Sequence, residues 1–413
     1  MDRAVPPPLR RARAAVAGLF VVNAAAYANL VPRLPGIKAE LGLTNAALGA
    51  AVAAAPAGAL VSGLAAGPLI QRWGSARVAV ACGLGVSALL PAVAVAGSWA
   101  VLAATLLCFG ACDSVMDVSM NAHGLRVERR YGRSIVSAMH GLWSLGAVAG
   151  AGAGSAVAGL GVGLRPHLAV AGLALGGLTL LARAHLLPGP DDADREDLVV
   201  GPDLAAPSPG VSPGSRERVA RAGRGSGPRP AVVLLALSAV LLLGAAVEDS
   251  PASWGAVLLR EELGTAAGAG GLVFVAFQAA MTGGRLVADR AVDRFGPVRV
   301  LRAGAGLVAA GAGVGLLVGT PVAVVAGFTL AGLGAAPLFP VVFHAAGNLP
   351  GLATGHGVAT VAWASRVGFL VVPPLVGLVA DAASVRAGLA VVPLAGLALV
   401  PLVAVVGRGR SPA

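Results

Sequence analysis

The sequence predicts an all-α membrane protein: twelve transmembrane helices in two pseudo-symmetric six-helix bundles, with both chain ends in the cytoplasm. Three observations predict it. The first is composition. Of 413 residues 57% are apolar and 12% charged, against about 25% charged in a soluble domain, and the mean hydropathy is +0.83. Too little polar side chain is present to coat a soluble fold of this size. The second is spacing. Apolar blocks of about 20 residues, the length that crosses a bilayer core as a helix, recur twelve times. The third is charge. The formal net charge of +11 sits in short clusters between the blocks, so it reads as topology rather than as a nucleic-acid surface.

The predicted spans are 12–32, 46–70, 77–97, 100–122, 134–158 and 166–187, then 231–250, 266–288, 298–318, 321–344, 355–380 and 385–407. The first block follows Arg10, Arg11 and Arg13 and reads as an uncleaved span, because eleven more follow it. With the N-terminus inside, the inner segments hold 24 of the 30 Lys and Arg, and the outer loops hold five: Arg33, Lys38, Arg165, Arg260 and Arg386. The thirtieth, Arg366, falls deep inside a span, far from either end. That asymmetry supports an even number of spans. Residues 188–230, rich in Pro, Gly, Ser, Asp and Arg, read as a flexible linker between residues 1–187 and 231–413. The linker's acids (Asp191, Asp192, Asp194, Glu196 and Asp197) read as a solvated run. Cys82, Cys108 and Cys112 read as packed thiols with no metal set around them.

Two loops resemble each other. Gly67-Pro-Leu-Ile-Gln71-Arg72-Trp-Gly74 joins spans 2 and 3; Gly284-Arg285 through Asp289-Arg290 and Asp293-Arg294 to Gly296 joins spans 8 and 9. A glycine for close helix approach, a basic cluster and a turn glycine recur at matched places. Repeated halves of this kind are a transporter architecture. With these loops the chain resembles the major facilitator superfamily, whose signature is Gly-x-Leu-x-Asp-Arg-x-Gly after spans 2 and 8. Gln71 departs from it where Asp is usual. Asp117-Val-Ser-Met-Asn121, Gly132-Arg133-Ser, His140-Gly-Leu-Trp143-Ser144, Glu248 before Trp254, and Pro373-Pro374 with Gly377 resemble the branch of fucose-permease-like and YbjJ-type bacterial inner-membrane proteins. The resemblance implies alternating access by rocking of the halves, a small polar, sugar-like solute, proton coupling, and a bacterial inner membrane. It also implies a cytoplasmic gate of Gly67, Arg72, Gly74, Gly284, Asp289, Arg290, Asp293 and Arg294.

Ionisable groups inside a span are costly and mark function by default. Asp113, Asp117 and Asn121 lie four apart, on one face of span 4. They read as a proton- or substrate-binding strip or as a network at the inner helix end. Glu248 and Asp249 come late in span 7, before Ser250-Pro251, where the helix should break beside a binding site. Asn23 and Tyr27 are one turn apart on span 1 and either line the cavity or bond between helices. His140 and Trp143 lie early in span 5. Arg366 needs a carboxylate or an anionic substrate. Gln278 and Trp363 are further candidates, with His344 and His356 beside them. The many glycines of span 5 read as close helix packing. No P-loop, HExxH, GxSxG or Cys/His metal set occurs, so no ATP drive, catalytic centre, cofactor or metal is expected. The expected partners are a small-molecule substrate, protons and the lipid bilayer, with no nucleic acid, and the chain is expected to be a monomer. A metabolite or drug exporter of the same fold, and a polytopic membrane protein without transport activity, are the rival readings.

Overall fold

The computed structural model describes residues 6–133, 135–189, 230–349 and 354–409. Among the described residues twelve helices are long and apolar enough to cross a membrane. Spans 1 to 6 are Pro7–Glu40, Asn45–Gly63, Ser75–Ala94, Trp99–Tyr131, Ala138–Gly159 and Leu164–Arg183. Spans 7 to 12 are Ala231–Glu262, Ala267–Phe295, Pro297–Val318, Pro321–Gly347, His356–Ala382 and Val385–Gly407. Among the described residues there is no strand. Only the edges of the predicted linker, Pro188, Gly189 and Pro230, are described; its acidic run lies outside the described residues.

Local signals set where the helices begin. At the outer end Thr44, Ser98, Thr320 and Ser384 cap spans 2, 4, 10 and 12, each accepting a backbone N–H three residues on. At the inner end the chain reverses from span 2 to span 3 through Gly74 (φ 83°) and from span 8 to span 9 through Gly296 (φ 81°), a conformation that favours glycine. At the outer end Gly42 (φ 61°) and Gly264 (φ 63°) do the same after spans 1 and 7. The separation along the chain is identical for Gly42 and Gly264, Gly74 and Gly296, and Ser98 and Thr320. The halves therefore repeat residue for residue through these turns.

That register corrects the loop comparison. Gln71-Arg72 matches Asp293-Arg294, not Asp289-Arg290, and Gly67 matches Asp289. Gly284 is buried within span 8, where an added Cβ would lie 2.7 Å from that of Ala336. Gly67 has open space around it, so no close approach explains it.

Small residues let helices touch at the backbone. In span 5, Cβ atoms added to Gly146, Gly150 and Gly154 would sit 2.9, 2.7 and 2.9 Å from carbonyl oxygens of span 1, whereas Gly141 and Gly152 face open space. Two sequence expectations are overturned. Span 7 does not break at Pro251: its helix runs on to Val257, then widens by one turn over Leu258–Glu262. Packing of span 7 against its neighbouring helices makes the proline tolerable. Cys108 is exposed rather than packed.

Candidate functional site

The two halves meet along an interface whose ends differ. At the outer end spans 2 and 11 touch through their backbones. A Cβ on Gly49 would lie 2.3 Å from the carbonyl oxygen of Pro373, and one on Gly377 2.5 Å from that of Asn45. Asp381 of span 11 accepts the N–H groups of Asn45 and Ala46, both at 2.8 Å, and so caps span 2 from the other half. Spans 5 and 8 close the opposite side. Gly159 packs on Gly268, and the N–H of Gly271 donates to Ser155 Oγ (3.1 Å). Lys38 pairs with Glu261 at 2.5 Å, and Glu262 accepts the N–H groups of Val385 and Arg386 at the start of span 12. Arg33, predicted in an outer loop, is instead a buried residue of a helical turn that donates to the carbonyl of Val162 (2.8 Å).

At the Arg-rich end, polar residues from both halves stand exposed. Asp117 and His140 belong to the N-terminal half, Arg366 and Trp363 to the C-terminal half. Asp117 lies within electrostatic reach of His140 and Arg366. Arg366 shares a span 11 face with Pro373 and Gly377, and its guanidinium reaches Gly63 of span 2, near Ser114 of span 4. It is thus a charged side chain that bridges the halves on this side. His140 packs edge-on against Phe20 (5.2 Å between ring centroids). Asn121 donates back to the carbonyl and the carboxylate of Asp117 (2.9 and 3.1 Å), so it completes a local pair.

Deeper in, Asn23 joins three spans of one half. Its amide donates to Asp113 Oδ1 (2.7 Å) and its oxygen accepts from Trp143 Nε1 (2.8 Å). Tyr27, one turn farther out, lies against Asp249 and Ser253 of span 7, and Ser253 donates to Asp249 (2.9 Å). Glu248 faces Arg285 of span 8 at 3.4 Å. Gln278 is buried on the same face of span 8, two turns from Arg285. Its Nε2 and Arg285 Nε are buried donors with no partner among the described residues.

The structure therefore brings together Asp113, Asn23 and Trp143; Asp117, Asn121, His140 and Arg366; and Glu248 with Arg285. Tyr27 and Asp249 join the halves nearer the outer end. Trp363 is 63% exposed and forms no polar pair that the structure describes. Arg285 is a residue the sequence reading missed. Near the predicted end of span 8 and counted with the inner charges, it lies well inside the helix, which runs on to Phe295. Its two-turn spacing from Gln278, on a face shared with Thr282, was the available signal. Of the residues expected to form the gate, Arg72 lies in the short helix Ala66–Trp73 that follows span 2, and Asp289, Arg290, Asp293 and Arg294 lie at the inner end of span 8. Arg72 and Arg294 each stack over the aromatic ring that follows, Trp73 (5.8 Å) and Phe295 (5.3 Å). Among the described residues, no group of three or more His, Cys, Asp and Glu could hold a metal ion.

Comparison with known proteins agrees with this architecture. The profile of the Major Facilitator Superfamily matches residues 16–254 and 234–413. An uncharacterised MFS-type transporter of Yersinia pestis is 29% identical over 88% of this chain and 88% of its own length. The crystal structure of a bacterial homologue of the human lysosomal transporter Spinster, in an inward-facing and occupied conformation, covers 99% of this chain and 100% of its own, with a TM-score of 0.74 at 14% identity. That of a D-xylose-proton symporter covers 95% of this chain and 97% of its own, with a TM-score of 0.70 at 12% identity. The protein, a membrane transporter and not an enzyme, belongs to the Major Facilitator Superfamily.

Proposed function

We propose that this protein is a secondary active transporter that moves a small polar, sugar-like solute together with protons across a bacterial inner membrane. The observation that carries the reading is the asymmetry of one interface. Acids, a histidine and arginines from both halves are open toward the Arg-rich end, while the outer end is shut by backbone contact. A site reached from one side at a time is what alternating access requires, with the binding groups between two rocking halves. The rocking bodies are residues 1–187 and 231–413, joined by 188–230. The positive-inside rule makes the Arg-rich end cytoplasmic, so this state faces inward. One chain supplies both walls of the site, and a monomer suffices.

The buried, unpartnered donors Gln278 Nε2 and Arg285 Nε support a solute rich in acceptor oxygens, since burying such donors costs free energy until a partner arrives. The branch resemblance around Asp117–Asn121 and His140–Ser144 and the likeness to the D-xylose-proton symporter support the same class. Asp113, Asp117 and Glu248 are the proposed proton- or substrate-binding acids. Arg366 and Arg285 are the groups that answer their charge, and Asn23, Tyr27, Asn121, His140, Trp143 and Trp363 line the path. The test is uptake into proteoliposomes under an imposed proton gradient, across a panel of sugars and nucleosides chosen by thermal shift. Asp113→Asn, Asp117→Asn and Glu248→Gln are each expected to lower gradient-driven uptake at least about tenfold, the loss of one charge-assisted interaction. Unchanged uptake in all three sinks the assignment.

A further inference from the structure

A cavity of about 1160 Å³ opens at the Arg-rich end of the N-terminal half, away from the interface between the halves. The 2–3 loop, the inner ends of spans 3, 4 and 6, and the segment up to Gly189 enclose it. Among the described residues its lining holds four arginines, Arg72, Arg77, Arg129 and Arg183, and no carboxylate. Four like charges facing one concavity repel each other and create a positive potential that favours an anion. Farther in, the wall turns apolar: Val80, Leu84 and Leu125 line it, and Leu125 is 47% exposed. Trp73, 51% exposed, stands at the rim, where an indole suits the membrane–water boundary.

The repeat shows that this charge is not a general property of the inner ends. In the register set by Gly74 and Gly296, Arg72 and Arg77 match Arg294 and Arg299. The C-terminal copy interleaves Asp289 and Asp293; the N-terminal copy has Gly67 and Gln71 at those places. The same basic frame thus carries its own counter-charge in one half and lacks it in the other. We infer that this cavity binds a phosphate-bearing anion, supplied by the headgroup of an anionic membrane lipid whose acyl chains lie along the apolar wall. Basic pockets between helices on the cytoplasmic side suit such headgroups, and the cytoplasmic leaflet concentrates them. Guanidinium groups match phosphate oxygens in pairs.

The full-length protein, purified in detergent, is offered phosphatidylglycerol, phosphatidylcholine or sodium phosphate. Retained lipid is read by native mass spectrometry and apparent melting temperature by thermal shift. Phosphatidylglycerol is expected to be retained and to raise the melting temperature; phosphatidylcholine and sodium phosphate are not. Apparent affinity should fall about fivefold for each arginine removed, through R72Q/R77Q and R129Q/R183Q to the fourfold variant. The R299Q/R302Q control, which loses charge at the inner end of the other half, should bind as wild type does. Replacing all four arginines by lysine keeps the charge and should keep most of the retention, which separates loss of the site from loss of the fold. Equal phosphatidylglycerol retention by wild type and the fourfold glutamine variant overturns the inference, as does equal retention of phosphatidylcholine. A thermal gain from millimolar sodium phosphate equal to that from phosphatidylglycerol, lost in the fourfold variant, overturns the lipid source in favour of a soluble phosphate. Neutralising Asp191, Asp192, Asp194, Glu196 and Asp197 should leave retention unchanged. A large rise would make the chain's own acids the resident anion and overturn the lipid assignment.

Discussion

The outer and inner ends of the interface between the halves are built from different materials. The outer end is closed by what is missing: Gly49, Gly377, Gly159 and Gly268 have no side chain, so backbones from opposite halves come into contact. Polar contacts from Asp381, Ser155 and Lys38 are laid over that seam. The inner end instead presents full-length ionisable side chains, Asp117, His140 and Arg366, that are exposed in this state. A seal of glycines and single caps closes by backbone packing, because helix association in lipid draws on close packing rather than on a hydrophobic drive. The charged end cannot be buried cheaply.

The sharpest way to break this contrast is to put side chains into the seam. Gly377→Val or Gly49→Leu adds atoms where a Cβ would already lie 2.5 or 2.3 Å from a carbonyl oxygen. Overpacking of this kind costs about 1–3 kcal/mol or more. Electron-electron distances between labels on Leu43→Cys and Ala383→Cys are expected to lengthen, and uptake to be nearly abolished; an unchanged distance distribution would refute the glycine seal. Next comes the Glu248–Arg285 pair. Arg285→Ala leaves Glu248, whose side chain is 17% exposed, without its cation. A loss of about 1–3 kcal/mol is expected, below that of a fully buried pair because Arg285 is 34% exposed. Adding Glu248→Gln should restore part of it, and thermal unfolding of the four species in one cycle reads the coupling. Asp381→Asn removes a charge-assisted cap on span 2, expected to cost the outer-closed state about 1–2 kcal/mol. The same labels should then show a minor, longer distance. The smallest effect belongs to Lys38→Ala. Its partner Glu261 is 35% exposed, so about 0.5 kcal/mol is expected, fading as salt is raised. A large, salt-independent effect would mean that the seam rests on this pair rather than on the glycines.

Much of the architecture was readable along the chain. The twelve apolar blocks became twelve helices because a bilayer leaves a backbone little else to form. Gly74 and Gly296 were legible as turn glycines, and both have positive φ. The span 5 glycines were legible as packing sites, although only Gly146, Gly150 and Gly154 touch span 1. Pro251 misled because a proline's missing N–H is a local fact, while the cost of its absence depends on how the neighbouring helices hold span 7. Arg285 was missed because a basic residue beside a glycine near a span's end looks like a loop until the helix length is known.

Within the candidate site, the sequence could nominate polar residues but not their pairings. That Asp113, Asp117 and Asn121 share a face follows from a period of 3.6 residues. That Asn23 stands between Asp113 and Trp143, or that Arg366 reaches span 2 from span 11, depends on contacts between residues far apart in the chain.

By itself, then, the sequence determined the membrane class, the number of spans, the side that carries the arginines and the repeat of the halves. Each is a matter of local hydropathy, charge and turn geometry, settled within one span or one loop. Tertiary structure alone decided which acids meet which bases, which end of the interface is shut, and that one copy of the inner loop faces a cavity with four arginines and no carboxylate among its described lining residues. These depend on how helices approach each other, and that is set by side-chain volume and packing summed over both halves.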